Sequence, residues 1–561
     1  MPAMDIASLI RGKLASALGA AGIAVSADDI SLELPGEIAH GDYATGVALK
    51  YAKQAGKNPR ALAEELVANL GEVEGVSGIE IAGPGFINFK IAPSALWENL
   101  QTGRENPKEW GGTDLNKGKK IMVDYTQPNP FKPFHIGHLM SNATGESISR
   151  LLHFSAAKVI RVNYQGDVGL HIGKAIWGLL QLGIEPDNAD EIGRAYAHGA
   201  KAYESDPVAK TEIDAINKAV YAESDAAINA IYTKGREASL AHFEDLYALL
   251  GTKFDDYFFE SQVWKDGLDV VREHVGTVFE ESDGAVIFPG EKYGLNTRVF
   301  ITSAGLPTYE GKEMGLIKLK FEKHDPDISI VTTAVEQNNF FAVTTKAAEI
   351  IDPSKQGKIK HIAHGMMRLE SGKMSSRTGD VITGESLVDD LIEVAKERAA
   401  ESRADDKEQL ARDVAVAAIK FQILKGGTGK DIIFDRERAL SVEGDSGPYL
   451  QYAYARTCAI LEKARDAVIT PKFDTKAQPT DVARIIYRFY ENVKKAQEEL
   501  EPHIVATYLI ALASAFNSWY AQEQILDGTE EAPHKLAVVD SVRQTLQNGL
   551  WLLGIPAPTK M

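Results

Sequence analysis

IMVDYTQPNPFKPFHIGHLMSNATGESISR, residues 121–150, is the stretch that decides the fold of this chain. It opens on a short apolar run that ends at Asp124, which is typical of a buried strand in a parallel sheet. Prolines keep the next loop out of helix, and from about Gly137 apolar residues return at helical spacing. The order of strand, loop and helix predicts an open α/β sheet. Such sheets bind anionic ligands where a helix begins beyond the carboxyl end of a strand.

The loop carries a candidate phosphate site. His135-Ile136-Gly137-His138 opens the helix, and Lys132 lies three residues ahead of it. Gly137 lets a ligand approach the backbone, the two imidazoles can donate hydrogen bonds to phosphoryl oxygens, and Lys132 adds a mobile cation. Two histidines without a function could equally occur near the start of a helix. Whether these two bind phosphate therefore depends on the rest of the sequence.

Length and composition indicate a globular protein of several domains. At about 150 residues per domain, 561 residues suggest three or four. The single cysteine, Cys458, excludes an intrachain disulfide framework, and no Cys/His cluster has zinc spacing, so no protein-bound metal is expected. The net charge of −18 argues against a nucleic-acid partner, but an acidic body can still carry a basic face. With neither a leader pattern nor a long apolar window, we expect a cytoplasmic protein with no membrane partner.

Three domains are predicted in order along the chain. Residues 1–110 mix helical and strand patterns, and residues 118–383 alternate them, with a polar helical insertion at about 187–291. From residue 384 to 561 the pattern is almost entirely helical. We therefore predict an α/β Rossmann-like doubly wound domain, preceded by a small α+β domain and followed by an α-helical bundle. The further strands predicted for its sheet are 158–162, 297–303, 328–332 and 359–362.

A second basic motif follows the last predicted strand. Residues 372–379, GKMSSRTG, predict a loop in which Lys373 and Arg377 could contact phosphates. The glycine-rich run at 426–430 lacks the spacing of a P-loop, because Asp431 follows its lysine, and predicts a turn.

Residues 124–138, DYTQPNPFKPFHIGH, resemble the first ATP-binding motif of class I aminoacyl-tRNA synthetases, in the form used by arginyl-tRNA synthetases. The second motif of that class is usually Lys-Met-Ser-Lys-Ser. Here Ser376 replaces its second lysine, a departure that in this family accompanies a lysine at the position of Lys132. The stretches HGDYATGVALKYAK, IAGPGFINFKI, GDSGPYLQYAYAR and LLGIPAPTKM resemble the same family, so the resemblance runs from end to end.

A substrate pocket is predicted around Tyr309 and Glu313. They are four residues apart and share one face of a helix, and with Asp124 they would offer two carboxylates and a phenol to a guanidinium. The resemblance implies the same, since the matching positions hold the side chain of arginine. The family usually has aspartate where Glu313 stands, so this pocket must accommodate one more methylene. Gln337 and Asn129 match the contacts to the ammonium and carboxylate groups of the substrate.

The resemblance implies an arginine–tRNA ligase, and we expect the protein to be a monomer. Arginine would attack ATP, delivered with Mg²⁺, and then pass to the 3′-terminal adenosine of tRNA-Arg. His138 would also touch the amino acid. The residues implied for catalysis are Lys132, His135, His138 and Lys373, and those implied for ATP binding are His135, Gly137, His138, Lys373, Ser375 and Arg377.

Three residues of the helical part form a candidate tRNA contact. Tyr449, Tyr452 and Arg456 are spaced to share one helix face, where rings stack on unpaired bases and a guanidinium contacts phosphate. An aromatic stripe at this spacing can equally be core. The resemblance implies that the bundle reads the anticodon, that Met561 packs near the anticodon loop, and that residues 1–110 contact the tRNA elbow.

Three rival functions fit the sequence less well. In a class I synthetase for glutamine, the substrate would offer no cation to pair with Asp124 and Glu313. A synthetase for cysteine would need zinc-binding cysteines. A small-molecule nucleotidyltransferase would not need the helical C-terminal third. A catalytically silent tRNA-binding paralogue would have no reason to carry the complete set of Lys132, His135, His138 and Lys373.

Overall fold

The computed structural model describes residues 5–369 and 383–561, beginning with a small α+β domain. Its elements are α1 (Ile6–Ala20), β1 (Tyr43–Thr45), α2 (Val47–Ala55), α3 (Pro59–Leu70), β2 (Val76–Ala82) and β3 (Phe86–Ile91). The antiparallel sheet has the strand order β1-β3-β2. Helix α3 begins at Pro59 because Asn58 caps it by accepting a hydrogen bond from the amide of Arg60.

Helix α4 (Pro93–Glu105) packs against the far end of the chain rather than against this small sheet. The indole of Trp97 donates a hydrogen bond to the carbonyl of Ala477 over 2.9 Å. Arg104 pairs with Asp540 at 2.9 Å. Helix α4 is thus held against the C-terminal helices, and the domain boundary at residue 110 stays a prediction.

The strands that follow form a central parallel sheet and two small additional sheets. They are β4 (Lys120–Asp124), β5 (Lys158–Gln165), β6 (Asp256–Phe259), β7 (Glu280–Ser282), β8 (Ala285–Phe288), β9 (Arg298–Ile301), β10 (Ile328–Ala334), β11 (Ile359–His364), β12 (Met367–Leu369) and β13 (Ile432–Phe434). The central sheet has the strand order β11-β10-β4-β5-β6. From β4 the chain builds outward through β5 and β6 on one side and through β10 and β11 on the other. The crevice between β4 and β10 is therefore the topological switch point, where open α/β sheets bind ligands.

Helices pack against this sheet and form an extension beside it. They are α5 (Ile136–Phe154), α6 (Leu170–Leu182), α7 (Ala189–Ser205), α8 (Pro207–Ala222), α9 (Ala226–Leu249), α10 (Glu260–Glu273), α11 (Tyr309–His324) and α12 (Asn338–Ile351). Helix α5 contacts β4, β5 and β10 at the centre of the sheet, so its first turn lies close to the switch point.

Two expectations about the sheet are wrong. The helical insertion predicted at 187–291 ends early, because the helices stop at Leu249 and β6 then joins the sheet beside β5. A four-residue strand is too short to show a periodic pattern. The run at 297–303 forms β9 of a separate antiparallel sheet, β7-β8-β9. The connection between β8 and β9 is too short for the crossover that parallel strands need.

The C-terminal part is a helical bundle, as predicted. Its helices are α13 (Gly384–Ala399), α14 (Lys407–Leu424), α15 (Arg436–Ala439), α16 (Gly447–Asp466), α17 (Asp481–Tyr487), α18 (Phe489–Glu499), α19 (Pro502–Gln522) and α20 (Ala532–Leu552). Helix α19 is long and apolar enough to cross a membrane by length and composition alone, but Val505, Leu509, Leu512 and Phe516 are fully buried in the bundle. Met561 is half-buried and packs against the same core.

Candidate active site

The loop between β4 and α5 is sharply bent. Thr126, Gln127 and Phe131 adopt left-handed backbone angles, with φ of 78°, 57° and 67°. Such angles are unfavourable for residues other than glycine and persist where the surroundings enforce them. The hydroxyl of Ser141 does so here, accepting from the amide of Thr126 and donating to the carbonyl of Thr332, each at 2.9 Å. The loop, α5 and β10 are thereby fixed to one another.

His135 and His138 form one stacked unit at the start of α5. Their ring centroids are 3.5 Å apart, and the backbone amide of His135 donates to Nδ1 of His138 over 3.0 Å. Burial, strengthened by nearby positive charge, lowers the pKa of both rings. His138 is therefore neutral with its hydrogen on Nε2, which leaves that nitrogen a donor. A Cβ on Gly137 would lie 2.9 Å from the ring of His135, so a side chain there would displace that ring.

Lys132 and Asn129 lie in the same loop and face the end of β5. Burial lowers the pKa of Lys132, whose ammonium lies 5.6 Å from the ring centroid of Tyr196. The side-chain oxygen of Asn129 accepts from the amide of Gly166 at 2.9 Å. This bond fixes the carboxamide and leaves its NH₂ group as the donor available to a ligand.

The structure gathers four carboxylates around the buried phenol of Tyr164. Its pKa is raised well above the usual value by burial, and then by the carboxylates themselves. Three of the four carboxylates have an internal counter-ion. The ion pairs are Asp124 with Lys320 at 2.5 Å, Asp167 with Arg236 at 2.9 Å, and Glu260 with Lys312 at 2.9 Å. The fourth carboxylate, Glu313, has no hydrogen bond or ion pair within residues 5–369 and 383–561.

Tyr309 and Glu313 lie on one face of α11, as predicted, at different depths. Tyr309 is 69% exposed, whereas Glu313 is 8% exposed. Burial, with a smaller contribution from Asp124, raises the pKa of Glu313 to about 7, while the charge of Lys320 opposes the rise. A buried carboxylate without a partner is costly and is stabilised by a cation that enters the pocket.

Asp124 is fully buried at the end of β4, with both of its oxygens already bonded. Oδ1 accepts from the side chain of Gln127 at 2.9 Å and from the amide of Tyr164 at 3.2 Å, and Oδ2 is bound by Lys320. The charge of Asp124 is thus paired inside the protein, and its role in substrate binding stays a prediction. No motif in the sequence marks Lys320 as its partner.

The remaining predicted residues lie at the edges of the described site. Gln337 is exposed in a short 3₁₀ turn directly after β10, at the switch-point crevice. Lys373, Ser375 and Arg377 fall outside the described residues. Thr383 forms an isolated antiparallel β-bridge with His135. The backbone amide of Gly384 donates a hydrogen bond to the carbonyl of Phe134 over 2.8 Å.

Sequence reasoning missed three candidate residues, Glu260, Lys312 and His364. Glu260 directly follows β6 at the carboxyl edge of the sheet, a position that would have marked it had the strand been recognised. Its partner Lys312 also donates to the hydroxyl of Tyr221 over 3.3 Å. His364, at the end of β11, is 4% exposed, and burial lowers its pKa.

Tyr449, Tyr452 and Arg456 share one face of α16 and are joined by α19. Asn517 donates to the hydroxyl of Tyr449 at 3.0 Å and accepts from Arg456 at 2.5 Å. The guanidinium lies 4.7 Å from the ring centroid of Tyr452 and 5.4 Å from that of Tyr520. Both of these rings are more than a third exposed, which makes them available for base stacking. No pattern in the sequence indicates that Asn517 and Tyr520 of α19 contribute to this face.

No group of three or more His, Cys, Asp or Glu side chains suited to a metal ion occurs in the described part of the chain.

The sequence matches three family models along its length. Residues 5–91 match the description "Arginyl tRNA synthetase N terminal domain", residues 105–436 match "tRNA synthetases class I (R), catalytic domain", and residues 450–561 match "DALR anticodon binding domain".

Relatives and solved structures cover nearly the whole chain. The arginine–tRNA ligase of Clostridioides difficile is 32% identical over 549 residues, which cover 94% of this chain and 95% of the relative. That of Clostridium perfringens is 29% identical over 546 residues, covering 94% and 96%. The solved arginyl-tRNA synthetase of Thermus thermophilus superposes with a TM-score of 0.81 at 26% identity, covering 98% of this chain and 99% of that one.

Proposed function

Since the chain belongs to the arginyl-tRNA synthetase family, we propose that Glu313 and Tyr309 hold the guanidinium of L-arginine in the pocket beside β4. The protein is an ATP-dependent arginine–tRNA ligase, with arginine, ATP and tRNA as substrates. The resemblance drawn from residues 124–138 is thereby confirmed. The roles of individual residues remain proposals, and they rest on the geometry of the site.

The charge of the pocket is the observation that carries this assignment. Three of the four carboxylates form an ion pair with an internal cation, and Glu313 is the one that has no ion-pair partner among the described residues. A guanidinium supplies one positive charge and a planar set of donors that suits a carboxylate. Citrulline would leave that charge uncompensated, and glutamine offers no cation either. Such a polar pocket discriminates strongly because the wrong ligand leaves a buried group unpaired.

The corner at the start of α5 suits the activation step. The carboxylate of arginine attacks the α-phosphorus of ATP and pyrophosphate leaves, with no covalent intermediate on the enzyme. Neutral His138, a donor through Nε2, and its stacked partner His135 stabilise charge on the phosphoryl oxygens, while Lys132 adds a cation beside them. Gly137 keeps the backbone accessible. Lys373, Ser375 and Arg377 complete the ATP contacts in this proposal, and ATP arrives as its Mg²⁺ complex.

Asn129 and Gln337 would orient the amino-acid end of the substrate. The NH₂ group of Asn129 can donate to the carboxylate of arginine, because its oxygen is already bonded to the amide of Gly166. The exposed carboxamide of Gln337, after β10, can accept from the substrate ammonium, and His138 would contact both the amino acid and ATP.

Transfer of arginine requires the 3′-terminal adenosine of tRNA-Arg to reach the start of α5. We propose that the face formed by Tyr449, Tyr452 and Arg456 contacts the anticodon loop, with Met561 nearby, and that residues 1–110 contact the tRNA elbow. In this division residues 118–383 activate arginine and residues 384–561 read the anticodon. We further propose that the protein acts as a monomer in the cytoplasm, away from membranes.

Arginine-dependent ATP–pyrophosphate exchange in the presence of tRNA-Arg tests the pocket. Glu313→Gln removes the unpaired charge at constant shape and should raise the KM for arginine at least about 30-fold, since removing one partner of a buried charge pair costs about 2 to 5 kcal/mol. Glu322→Gln, on an exposed position of the same helix, is the matched control and should leave KM unchanged. Equal KM values for the two variants would contradict the proposal.

A further inference from the structure

His171, the second residue of α6, is hydrogen-bonded to the chain just after β5. Its Nε2 lies 2.9 Å from the carbonyl oxygen of Gly166. Burial, strengthened by the nearby charges of Lys132, Lys312 and Lys174, lowers the pKa of His171 to about 3, so the ring is neutral near pH 7. A carbonyl oxygen can only accept a hydrogen bond, so the single ring hydrogen is on Nε2.

Gly166 is bonded on its other side to Asn129. The backbone amide of Gly166 donates to the side-chain oxygen of Asn129 over 2.9 Å. The two peptide groups that meet at Gly166 are therefore bonded to different partners, one to Asn129 and the other to His171. A Cβ on Gly166 would lie 2.9 Å from the side-chain oxygen of Asn129, so a side chain there would displace the carboxamide.

The backbone at Gly166 needs a partner to fix it. Glycine has the least restricted backbone angles of any residue, so the direction of its amide depends on what holds the peptide groups around it. The next residue, Asp167, is anchored by Arg236 and by the amide of Ser261, each at 2.9 Å. These bonds hold the side chain of Asp167 but leave the peptide group before it free to rotate. The hydrogen bond from His171 fixes that rotation.

We infer that His171 is a positioning residue for arginine activation, which acts through Gly166 to hold the NH₂ group of Asn129 toward the substrate carboxylate. This inference rests on the proposed function, in which Asn129 binds that carboxylate. The carboxylate is also the nucleophile that attacks the α-phosphorus of ATP, so its direction affects the rate of the reaction as well as the binding of arginine. In this role His171 acts on arginine only through Asn129.

Arginine-dependent ATP–pyrophosphate exchange in the presence of tRNA-Arg tests the inference. His171→Leu removes the donor to Gly166 and should lower kcat/KM for arginine about tenfold, while the KM for ATP changes by less than about twofold. His171→Gln offers an NH₂ donor to the same carbonyl and should restore kcat/KM to within about threefold of the wild type. His198→Leu, at an exposed histidine of α7, is the matched control and should behave as the wild type. Equal losses in the two His171 variants, or no loss in His171→Leu, would overturn the inference.

Agmatine, which is arginine without its carboxylate, distinguishes positioning from general damage to the pocket. It keeps the guanidinium, so its inhibition constant against arginine does not depend on the contact between Asn129 and the carboxylate. His171→Leu should change this constant by less than about twofold while kcat/KM for arginine falls. An inhibition constant that rises in step with the loss of kcat/KM would overturn the inference.

A double-mutant cycle with Asn129 tests the route of the effect. Asn129→Ala removes the group through which His171 acts, so adding His171→Leu should lower kcat/KM for arginine by no more than about a further twofold. Losses that multiply would show that His171 acts elsewhere and would overturn the inference.

A crystal structure of the wild-type protein with arginine bound gives a test that does not depend on the variants folding. The inference expects His171 to stay bonded to Gly166, and Asn129 to keep its oxygen on the amide of Gly166 and its NH₂ group on the carboxylate. A carboxamide that leaves Gly166 when arginine binds would overturn it. A raised KM in Glu313→Gln with no effect of His171→Leu would reject this inference and keep the proposed function, whereas a normal KM in Glu313→Gln would reject the proposed function itself.

Discussion

Replacing Glu313 by glutamine should make the protein more stable above pH 7 while it raises the KM for arginine. Burial raises the pKa of this carboxyl from 4.5 to about 7. Moving a pKa by that much corresponds to about 3 kcal/mol of folding free energy once the group is ionised. Glutamine has nearly the same shape and no charge, so it avoids this cost. A gain in stability at the expense of function is typical of residues held in unfavourable states for binding.

The effect has a definite direction with pH. Between pH 4.5 and 7 the unfolded chain has released a proton that folded Glu313 still holds, so the free energy of unfolding of the wild type falls as pH rises. The glutamine side chain of the variant cannot titrate, so the variant lacks this contribution. The difference in stability between the variant and the wild type should therefore grow by about 3 kcal/mol from pH 4 to pH 8.

Urea unfolding at both pH values measures this difference. The urea midpoints of wild type and variant are compared only where the free energy of unfolding depends on urea concentration with the same slope, because a chain with several domains need not unfold in one step. At pH 4 Glu313 is protonated in the folded wild type, so the difference in stability between variant and wild type at that pH measures the cost of burying the glutamine side chain in place of a neutral carboxyl group. Glu322→Gln, on an exposed position of the same helix, is the control variant. Stability differences that are equal at pH 4 and pH 8 would refute the reasoning that Glu313 is an unpaired buried carboxylate.

Three further predictions concern the rest of the site. His138→Ala removes a hydrogen-bond donor to the phosphoryl oxygens and should lower the rate of pyrophosphate exchange by about 100-fold or more. Binding of tRNA in a filter assay should stay unchanged, and loss of both exchange and tRNA binding would indicate misfolding instead. Arg456→Ala should weaken tRNA binding by about 1 to 3 kcal/mol and leave exchange at saturating tRNA intact, and an unchanged Kd would remove this face from the tRNA contact. Arg236→Met leaves fully buried Asp167 without its cation and should destabilise the protein by about 3 kcal/mol in urea, whereas Lys234→Met, which breaks only exposed pairs, should cost less than about 1 kcal/mol.

Features set by neighbouring residues could be predicted from the sequence. The strand at Asp124, the loop and the helix after it follow from local patterning, and the start of α3 at Pro59 follows from its cap. The spacing of Tyr309 and Glu313 is enough to place them on one helix face. Each of these inferences needs only the period of a helix or strand and the chemistry of a turn.

Features set by distant residues could not be predicted in this way. Lys320 pairs with Asp124 across 196 positions of sequence, and no local pattern indicates that pairing. Asn517 joins Tyr449 to Arg456 only because α19 packs beside α16. β6 was missed because four residues carry too little periodicity, and with it the role of Glu260 was lost. In each case tertiary packing decides which side chains meet.

The most direct test of the account is pyrophosphate exchange by the wild-type protein, with tRNA-Arg present and with arginine, lysine, citrulline or glutamine as the amino acid. The account predicts exchange with arginine and exchange at least about 100-fold weaker with the other three, because only a guanidinium satisfies the single charge at Glu313 in its own geometry. Comparable exchange with citrulline or glutamine, or none with arginine while tRNA still binds, would contradict it.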